Sequence, residues 1–287
     1  MRGIWIAGVA ALAGLLSVGV RLALSALDRK KRNGGSRDAG QGADVAVAQT
    51  TGSKEIQADQ AQFLNTMAGT MAVLVDGIGN KNTGKLCAQL AVDTILDHYE
   101  QYHVLHNPEY FFKTVFYEAN CRIQRTIGDR RGGASAGAVF LGQSRLHYAL
   151  AGDIRIAVLR HGELIPLSRG QTMDVLAAEA WREGKIARQE ALWSMEEKRI
   201  WNYVGMDGFR ELEICEQPIR LKDGDIVLMA SRGIFEEMSW GEMEDLLVSD
   251  VPLQEAAERM VRAAEMKPSR EKDNGSVVLI KARVEMV

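Results

Sequence analysis

The apolar run from Met71 to Val75 ends abruptly in Asp76-Gly77-Ile78-Gly79. Five consecutive apolar residues bounded by turn residues predict a strand that is buried on both faces. The Asp76 carboxylate would then be held at the mouth of a rigid element, where a functional site can be preorganised. Gly77 lets the backbone approach a ligand closely, so its carbonyl is a further candidate ligand. Because Asp-Gly pairs also form ordinary turns, the motif gains meaning only from the rest of the chain.

The composition fits one sizeable globular domain. The 287 residues are 46% hydrophobic and 25% charged, which is enough to bury a full core. The net charge of −3 and the absence of a basic stripe in the sequence argue against a nucleic-acid binder. Three widely spaced cysteines match no metal-ligand spacing and predict reduced, buried thiols: Cys87, Cys121 and Cys215.

The N-terminal stretch has the composition of a membrane anchor. Residues 3–20 carry no charge, which is just long enough for a spanning helix. The basic cluster Arg29–Arg32 outweighs the single Arg2 on the other side, so the positive-inside rule predicts that the following domain is cytoplasmic. We therefore predict a single-pass anchor over residues 1–27.

A cleaved signal peptide is the alternative for this stretch, with Ala23–Ser25 as the small-residue cleavage site. Arg21, which lies just before that site, and the basic cluster after it both disfavour cleavage. The next segment is rich in Gly, Ala, Ser, Gln and Asp, which predicts a flexible linker over residues 28–52. The folded domain is predicted to cover residues 53–287.

Hydrophobic periodicity in this domain predicts an α+β order rather than regular βαβ alternation. Helices are predicted over Gly84–Gln101, from Asn107-Pro108 onward, over 174–194, from the capping box Ser239–Glu242, and over Leu253–Met266. Further strands are predicted at Gly137–Gly142, Leu146–Ala151, Ile154–Arg160, Glu163–Leu167, Leu212–Ile219, Ile226–Ala230 and Ser276–Val284. Antiparallel sheets with helices packed outside would account for this order.

Six segments resemble, in order and spacing, motifs of the metal-dependent serine/threonine phosphatases of the 2C type, the PPM phosphatases. They are the D-G-x-G strand at Met71–Asn80, a small-residue turn at Gly133–Ala136, G-D-S-R at Ala151–Arg155, a helical flap at Ala177–Ala191, S-D-G within Asp225–Gly233, and a late D-N pair at Lys272–Asn274. The resemblance runs from about Gly52 to Val284. It implies an αββα sandwich, in which two antiparallel sheets flanked by helices hold a metal centre in the cleft between the strand ends.

The resemblance also implies a set of metal ligands. Hydrolysis of a phosphate monoester needs hydroxide at neutral pH and cations that absorb charge, which two divalent metals about 4 Å apart supply. Mg²⁺ and Mn²⁺ prefer oxygen ligands. By resemblance, Asp76 would bridge the metals, with the Gly77 carbonyl and Asp273 as ligands and Asp153 and Asp59 as further candidates. In an active enzyme Asp76 and Asp273 would act through the bridged water.

Three residues depart from the family pattern at these positions. Lys54 replaces the arginine that clamps phosphate, Ala58 stands where an acidic or amide residue belongs, and Arg232 takes the place of a metal-binding aspartate. A guanidinium is always charged and only donates hydrogen bonds. We therefore expect Arg232 to lie between Asp76 and Asp273 and to replace the metal as their counter-ion.

These departures leave two functional hypotheses open. The favoured one is a catalytically degenerate, membrane-anchored domain that binds a phosphoprotein or regulatory partner, such as a serine/threonine kinase system, without a metal cofactor. The alternative is an active Mg²⁺- or Mn²⁺-dependent phosphatase acting on phosphoserine and phosphothreonine in proteins. An unrelated α+β domain is the remaining interpretation. The scattered histidines and Ser135 predict no catalytic triad, and the Glu196–Arg199 run predicts solvated charges.

Overall fold

The computed structural model describes residues 43–80, 82–102, 105–194 and 199–283. The predicted anchor, residues 1–27, lies outside these ranges, as does most of the predicted linker. None of the helices within them is long and apolar enough to cross a membrane. The anchor and the cytoplasmic location therefore stay predictions.

Two antiparallel sheets form the centre of the domain. The first has the strand order β1 (Asp44–Thr50), β11 (Gly275–Lys281), β10 (Ile226–Ala230), β6 (Arg155–Arg160), β7 (Glu163–Pro166). The second has the order β2 (Gln60–Thr66), β3 (Gly69–Gly79), β4 (Gly132–Gly142), β5 (Arg145–Ala151), β8 (Glu213–Ile214), and β9 (Ile219–Arg220) also pairs with β5. The predicted α+β class with two antiparallel sheets is confirmed.

Helices cover the outer face of each sheet. The helices in the described ranges are α1 (Asn82–Glu100), α2 (Pro108–Ile127), α3 (Met173–Arg182), α4 (Arg188–Ser194), α5 (Arg232–Phe235), α6 (Trp240–Val248) and α7 (Leu253–Met266), of which α3 and α4 pack on each other. One apolar cluster packs α1 and α2 on the second sheet, and another packs α5, α6 and α7 on the first. A third fills the space between the sheets. This layering is the αββα sandwich that the resemblance implies.

The period of two along β3 decides which way its last residues point. Met71, Val73 and Val75 pack against the helices, whereas Ala72 and Leu74 pack against the other sheet. The next residue on the inner face is Asp76. Its carboxylate is therefore delivered to the open end of the layer between the sheets, where the apolar packing stops.

Several local predictions are confirmed. The run Met71–Val75 is a strand buried on both faces. Asn107 caps α2 with its side chain, which accepts a hydrogen bond from the Tyr110 amide, and Ser239 and Glu242 form the capping box of α6. The predicted helical segment 174–194 is two short helices, α3 and α4, separated by a turn at Gly184.

The predicted boundary between linker and domain is wrong. Strand β1 lies inside the predicted linker, residues 28–52, and pairs with β11 along its whole length. Its alternation of Val and Ala has too little hydrophobic contrast to stand out from the Ala-rich segment before it. Strand β2 was also not predicted, because its polar sequence reflects an edge position. The predicted strand Leu212–Ile219 consists of two separate two-residue strands, β8 and β9.

The start of α1 lies against the end of β3 through a contact between two glycines. A Cβ atom added to Gly84 would lie 2.6 Å from the Gly77 carbonyl oxygen, and one added to Gly77 would lie 2.3 Å from the Gly84 carbonyl oxygen. Both neighbours are backbone atoms and cannot rotate away. The approach of α1 to the Asp76 turn therefore depends on the absence of a side chain at both positions.

We predict that Gly84→Ala lowers the free energy of unfolding by about 1–3 kcal/mol, because overpacking forces backbone shifts. The matched control is Gly241→Ala in α6, where an added Cβ meets no atom within 4 Å. That change should be neutral or stabilise by up to about 1 kcal/mol. Urea unfolding followed by circular dichroism measures both. Equal midpoints for the two variants would show that the glycine contact is no constraint.

Candidate active-site cleft

Six of the residues singled out in the sequence line one cleft at the open end of the sandwich. The cleft has a volume of about 880 Å³. The six are Lys54, Ala58, Asp76, Gly77, Arg232 and Asp273. Asp59 and Asp153, the two further candidates, are buried side chains that do not line it. The structure thus brings together residues that are up to 219 positions apart in the chain.

Strand register explains why the carboxylates meet. Strands β2 and β3 pair in register up to Gln60 and Val75, so Asp59 comes next to Asp76. On the other side of β3, Asp76 pairs directly with Ser135 of β4. These residues form a polar row at the end of the second sheet, on its inner face.

Asp59 connects this row to the first sheet. Its Oδ2 accepts hydrogen bonds from Ser231 Oγ at 2.8 Å and from Ser276 Oγ at 2.7 Å. Ser231 follows β10 and Ser276 lies in β11, so one carboxylate oxygen joins the ends of both sheets. Its other oxygen, Oδ1, is buried and has no hydrogen-bond partner in the described part of the chain. Burial raises the pKa of Asp59 to about 6, although the hydrogen bonds from the two serines oppose this shift.

Asp76 is the least satisfied carboxylate of the cleft. It is 8% exposed, and none of the described residues donates a hydrogen bond to its side chain. Burial, followed by the nearby Asp59 charge, raises the pKa of Asp76 well above its usual value, whereas Arg232 lowers it. A buried carboxylate in this position needs a cation or a proton.

Arg232 supplies a cation from within the protein. It is the first residue of α5, and its Nη2 donates to Asp273 Oδ2 in an ion pair. The side chains are 36% and 31% exposed, respectively. Burial disfavours the charged guanidinium, but attraction by Asp76 and Asp273 outweighs it and raises the pKa of Arg232. Its Nε is buried without a hydrogen-bond partner among the described residues.

Asp153 is neutralised by a different arginine. Arg155 Nη2 lies 3.0 Å from Asp153 Oδ1 in an ion pair, and Arg155 Nη1 donates to the Arg169 carbonyl at the start of the segment that leads to α3. The Arg155 guanidinium also lies 4.9 Å from the centre of the Phe235 ring in α5. Burial raises the pKa of Asp153, and Arg155 and Arg232 oppose this. Asp153 is therefore held inside the fold beside the cleft.

Several members of the ligand set that the resemblance implied are engaged by other side chains of the protein. In the ranges that the structure covers, no three His, Cys, Asp or Glu side chains are placed so as to hold a metal ion. A guanidinium engages Asp273, and two serine hydroxyls engage Asp59 Oδ2. Of the carboxylate oxygens in that set, those of Asp76 and Asp59 Oδ1 accept no hydrogen bond from the described residues, and Gly77 lines the cleft beside Asp76.

One segment that lines the cleft was missed by sequence reasoning. Arg199, Ile200 and Tyr203 of this segment line the cleft. Arg199 is exposed, as the prediction of a solvated charge implies, but it also lines the cleft, next to the bridge that joins Thr172 to Ile200. No local motif signals this position, because the bridge joins residues on either side of α3 and α4.

Known phosphatases are similar to this chain in sequence and in fold. Protein phosphatase PhpP of Streptococcus pneumoniae is 26% identical over 213 residues, which cover 70% of this chain and 82% of PhpP. The solved serine/threonine phosphatase of S. agalactiae superposes with a TM-score of 0.74 at 18% identity and covers 84% of this chain and 100% of that one. The catalytic domain of the phosphatase PstP, in complex with two manganese ions, has a TM-score of 0.64 at 21% identity, covering 83% and 97%.

No protein-family model matches the chain. The resemblance to serine/threonine phosphatases of the 2C type is nevertheless confirmed, by named sequence relatives and by the fold shared with solved phosphatases. The roles of the individual cleft residues stay predictions.

The pKa of Asp59 predicts a pH-dependent stability. Folding raises this pKa from 3.8 to about 6, so the folded state binds more protons than the unfolded state between these values. The free energy of unfolding should therefore fall as pH rises from about 4 to 6, and Asp59→Asn should remove about 2–3 kcal/mol of that fall. Urea unfolding in EDTA at several pH values measures how the free energy of unfolding changes with pH. The exposed Asp250→Asn is the control, and equal pH slopes for the wild type and Asp59→Asn would contradict the prediction.

Proposed function

We propose that this chain is a 2C-type phosphatase-like protein that has lost hydrolysis and acts in phospho-signalling by binding a phosphoprotein or regulatory partner. The observation that carries the proposal is the ion pair between Arg232 and Asp273 inside the cleft. By resemblance, Arg232 stands where the family has a metal-binding aspartate, so this cation would take the place of a metal ligand.

Electrostatics supports loss of the metal. Exchange of a carboxylate for a guanidinium changes the local charge by two units and removes an oxygen ligand. Repulsion between a guanidinium and a divalent cation a few ångströms away costs several kcal/mol at an effective dielectric constant of about 20. The same guanidinium already balances Asp273 and lowers the pKa of Asp76. The carboxylates that would attract a metal are thus partly neutralised.

The cleft keeps features that suit a phosphate group. Lys54 is exposed at its rim, and its ammonium group has no partner among the residues described here. Arg232 has a buried Nε without a hydrogen-bond partner in the same ranges. Lysine and arginine both bind phosphate monoesters. The names of the relatives, protein phosphatase and serine/threonine phosphatase, support a phosphoprotein as the partner.

In this proposal residues 1–27 anchor the protein in a membrane and leave the domain in the cytoplasm. The support is the uncharged stretch of residues 3–20 and the basic cluster Arg29–Arg32. An anchored receptor would hold its phosphorylated partner near the membrane surface.

An active Mg²⁺- or Mn²⁺-dependent phosphatase is the second candidate, and one observation favours it. Asp76 receives no hydrogen bond, and Asp59 Oδ1 is unpaired, in the described ranges. Both are acceptors that a cation would satisfy. This candidate requires the partly exposed Arg232 side chain to leave Asp273.

Metal binding and turnover separate the two candidates. We expect the full-length protein in detergent neither to bind Mn²⁺ by calorimetry nor to hydrolyse p-nitrophenyl phosphate. Arg232→Asp should gain Mn²⁺ binding, since it restores an oxygen ligand and removes the competing cation. Arg125→Asp, at an exposed position of α2, is the control with the same charge change. Turnover by the wild type with Mn²⁺ that Asp76→Ala abolishes would overturn the favoured proposal.

The anchor predicts how the protein fractionates. Full-length protein should sediment with membranes, resist extraction with salt and alkaline carbonate, and be released by detergent, because a spanning helix inserts effectively irreversibly. A variant lacking residues 1–32 should remain in the supernatant. Intact mass spectrometry determines whether the N-terminal segment has been cleaved from the mature protein. A mature chain that begins near residue 26 would instead indicate a cleaved signal peptide.

A further inference from the structure

A second cavity adjoins the cleft on the far side of Tyr203. It has a volume of about 570 Å³, and Tyr203 lines both cavities. Its remaining walls come from the end of α2 and the loop that leads to β4, including Arg130 and Arg131, and from the segment Gly205–Asp207. Apart from Tyr203, the residues that line this cavity do not line the cleft described above.

The wall between the two cavities is fixed in place. Ala134 and Val204 exchange backbone hydrogen bonds of 2.8 and 2.9 Å, and the Gly205 amide donates to Asn120 Oδ1 at 2.6 Å. The Tyr203 ring lies on the backbone of Gly133, where an added Cβ would come within 2.5 Å of the ring. A chain crossing from the cleft to the second cavity would therefore pass over a preformed aromatic surface.

The second cavity presents two guanidinium groups. Arg130 is held by its own helix end, because its Nε donates to the Ile127 carbonyl at 3.1 Å and its Nη2 to the Thr126 carbonyl at 3.0 Å. Its Nη1 stays available in a fixed orientation. Arg131 is exposed, and its side chain has no partner among the described residues.

One acidic side chain reduces this charge without cancelling it. Asp207 also lines the cavity, but no ion pair joins it to Arg130 or Arg131 in the ranges that the structure covers. The lining side chains sum to one positive charge. The cavity is therefore suited to one anionic group, and it lies next to a cleft that already suits another.

We propose that the second cavity is an anion subsite, which binds a carboxylate or second phosphate carried by the same phosphopeptide whose phosphorylated residue occupies the cleft. The inference rests on the proposed function, since it assigns a sequence preference to that partner. An extended peptide advances about 3.3 Å per residue, so a group a few residues from the phosphorylated one can reach over Tyr203. The partner is then a phosphoprotein with acidic or additionally phosphorylated flanks.

Fluorescent phosphoserine peptides test the subsite on the full-length protein in detergent, by anisotropy at low salt. One series carries a single Glu, and a second series a second phosphoserine, at each of four positions on either side of the central phosphoserine. An all-Ala-flanked phosphopeptide is the reference. We expect at least one position at which the Glu peptide binds about fivefold tighter than the reference, an advantage that salt weakens. The second series shows whether phosphate is preferred to carboxylate.

Charge reversal assigns that gain to the cavity. Arg131→Glu should abolish the advantage of the anionic flank and leave the affinity of the reference peptide within about twofold. Arg125→Glu, on the exposed face of α2, should keep the advantage and controls for net charge. Arg131→Lys should retain part of the affinity advantage, because lysine keeps the positive charge.

The outcomes distinguish this inference from the proposed function. If no phosphopeptide binds, the phosphoprotein partner itself is wrong. If the reference peptide binds but flanking charge has no effect on affinity at any position, the subsite is wrong while the proposed function stands. The same conclusion follows if Arg131→Glu and Arg125→Glu reduce the advantage of the anionic flank equally.

Discussion

The end of this sandwich holds buried carboxylates, each of which needs a counter-charge, hydrogen bonds or a proton. Asp59 is completely buried, and Asp76 and Asp153 nearly so. Ionised groups in such positions cost several kcal/mol each unless they are paired or protonated. Two serine hydroxyls from the first sheet bind Asp59, Arg155 pairs with Asp153, and Arg232 pairs with Asp273 and acts on Asp76. These pairings connect the loops around the cleft to both sheets.

The two arginines link the cleft to more distant elements. Arg232 begins α5, and the Phe235 ring at the end of that helix receives the guanidinium of Arg155. Arg155 also binds the Arg169 carbonyl at the start of the segment that leads to α3. One contiguous set of contacts therefore runs from Asp273 through α5 to the base of the two-helix segment α3–α4. A change of partner at Arg232 would be felt along this set, because Phe235 is only three residues away.

The fold was more predictable from sequence than the site. Apolar runs such as Met71–Val75 and signals such as the Ser239 cap are local, and each identified its element. Strand β1 was missed because its stability comes from pairing with β11, some 230 positions away, and not from its own Val-Ala sequence. The clustering of Asp76 with Asp273 came from resemblance to a family. By contrast, the place of Arg199 at the cleft and the hydrogen bonds of Asp59 depend on long-range packing, which no local pattern encodes.

A shared fold leaves activity undecided, because function resides in the side chains of the site. Catalysis requires interactions that strengthen in the transition state, and hydrolysis also requires an activated water. A guanidinium binds a phosphate dianion already in the ground state, so its interaction is not confined to the transition state. It also cannot generate hydroxide from water at neutral pH. Under the proposed function, Arg232 would therefore favour binding over turnover. Arg232 also supplies a counter-ion for Asp273, so the protein itself balances one of the carboxylates at this end of the αββα fold.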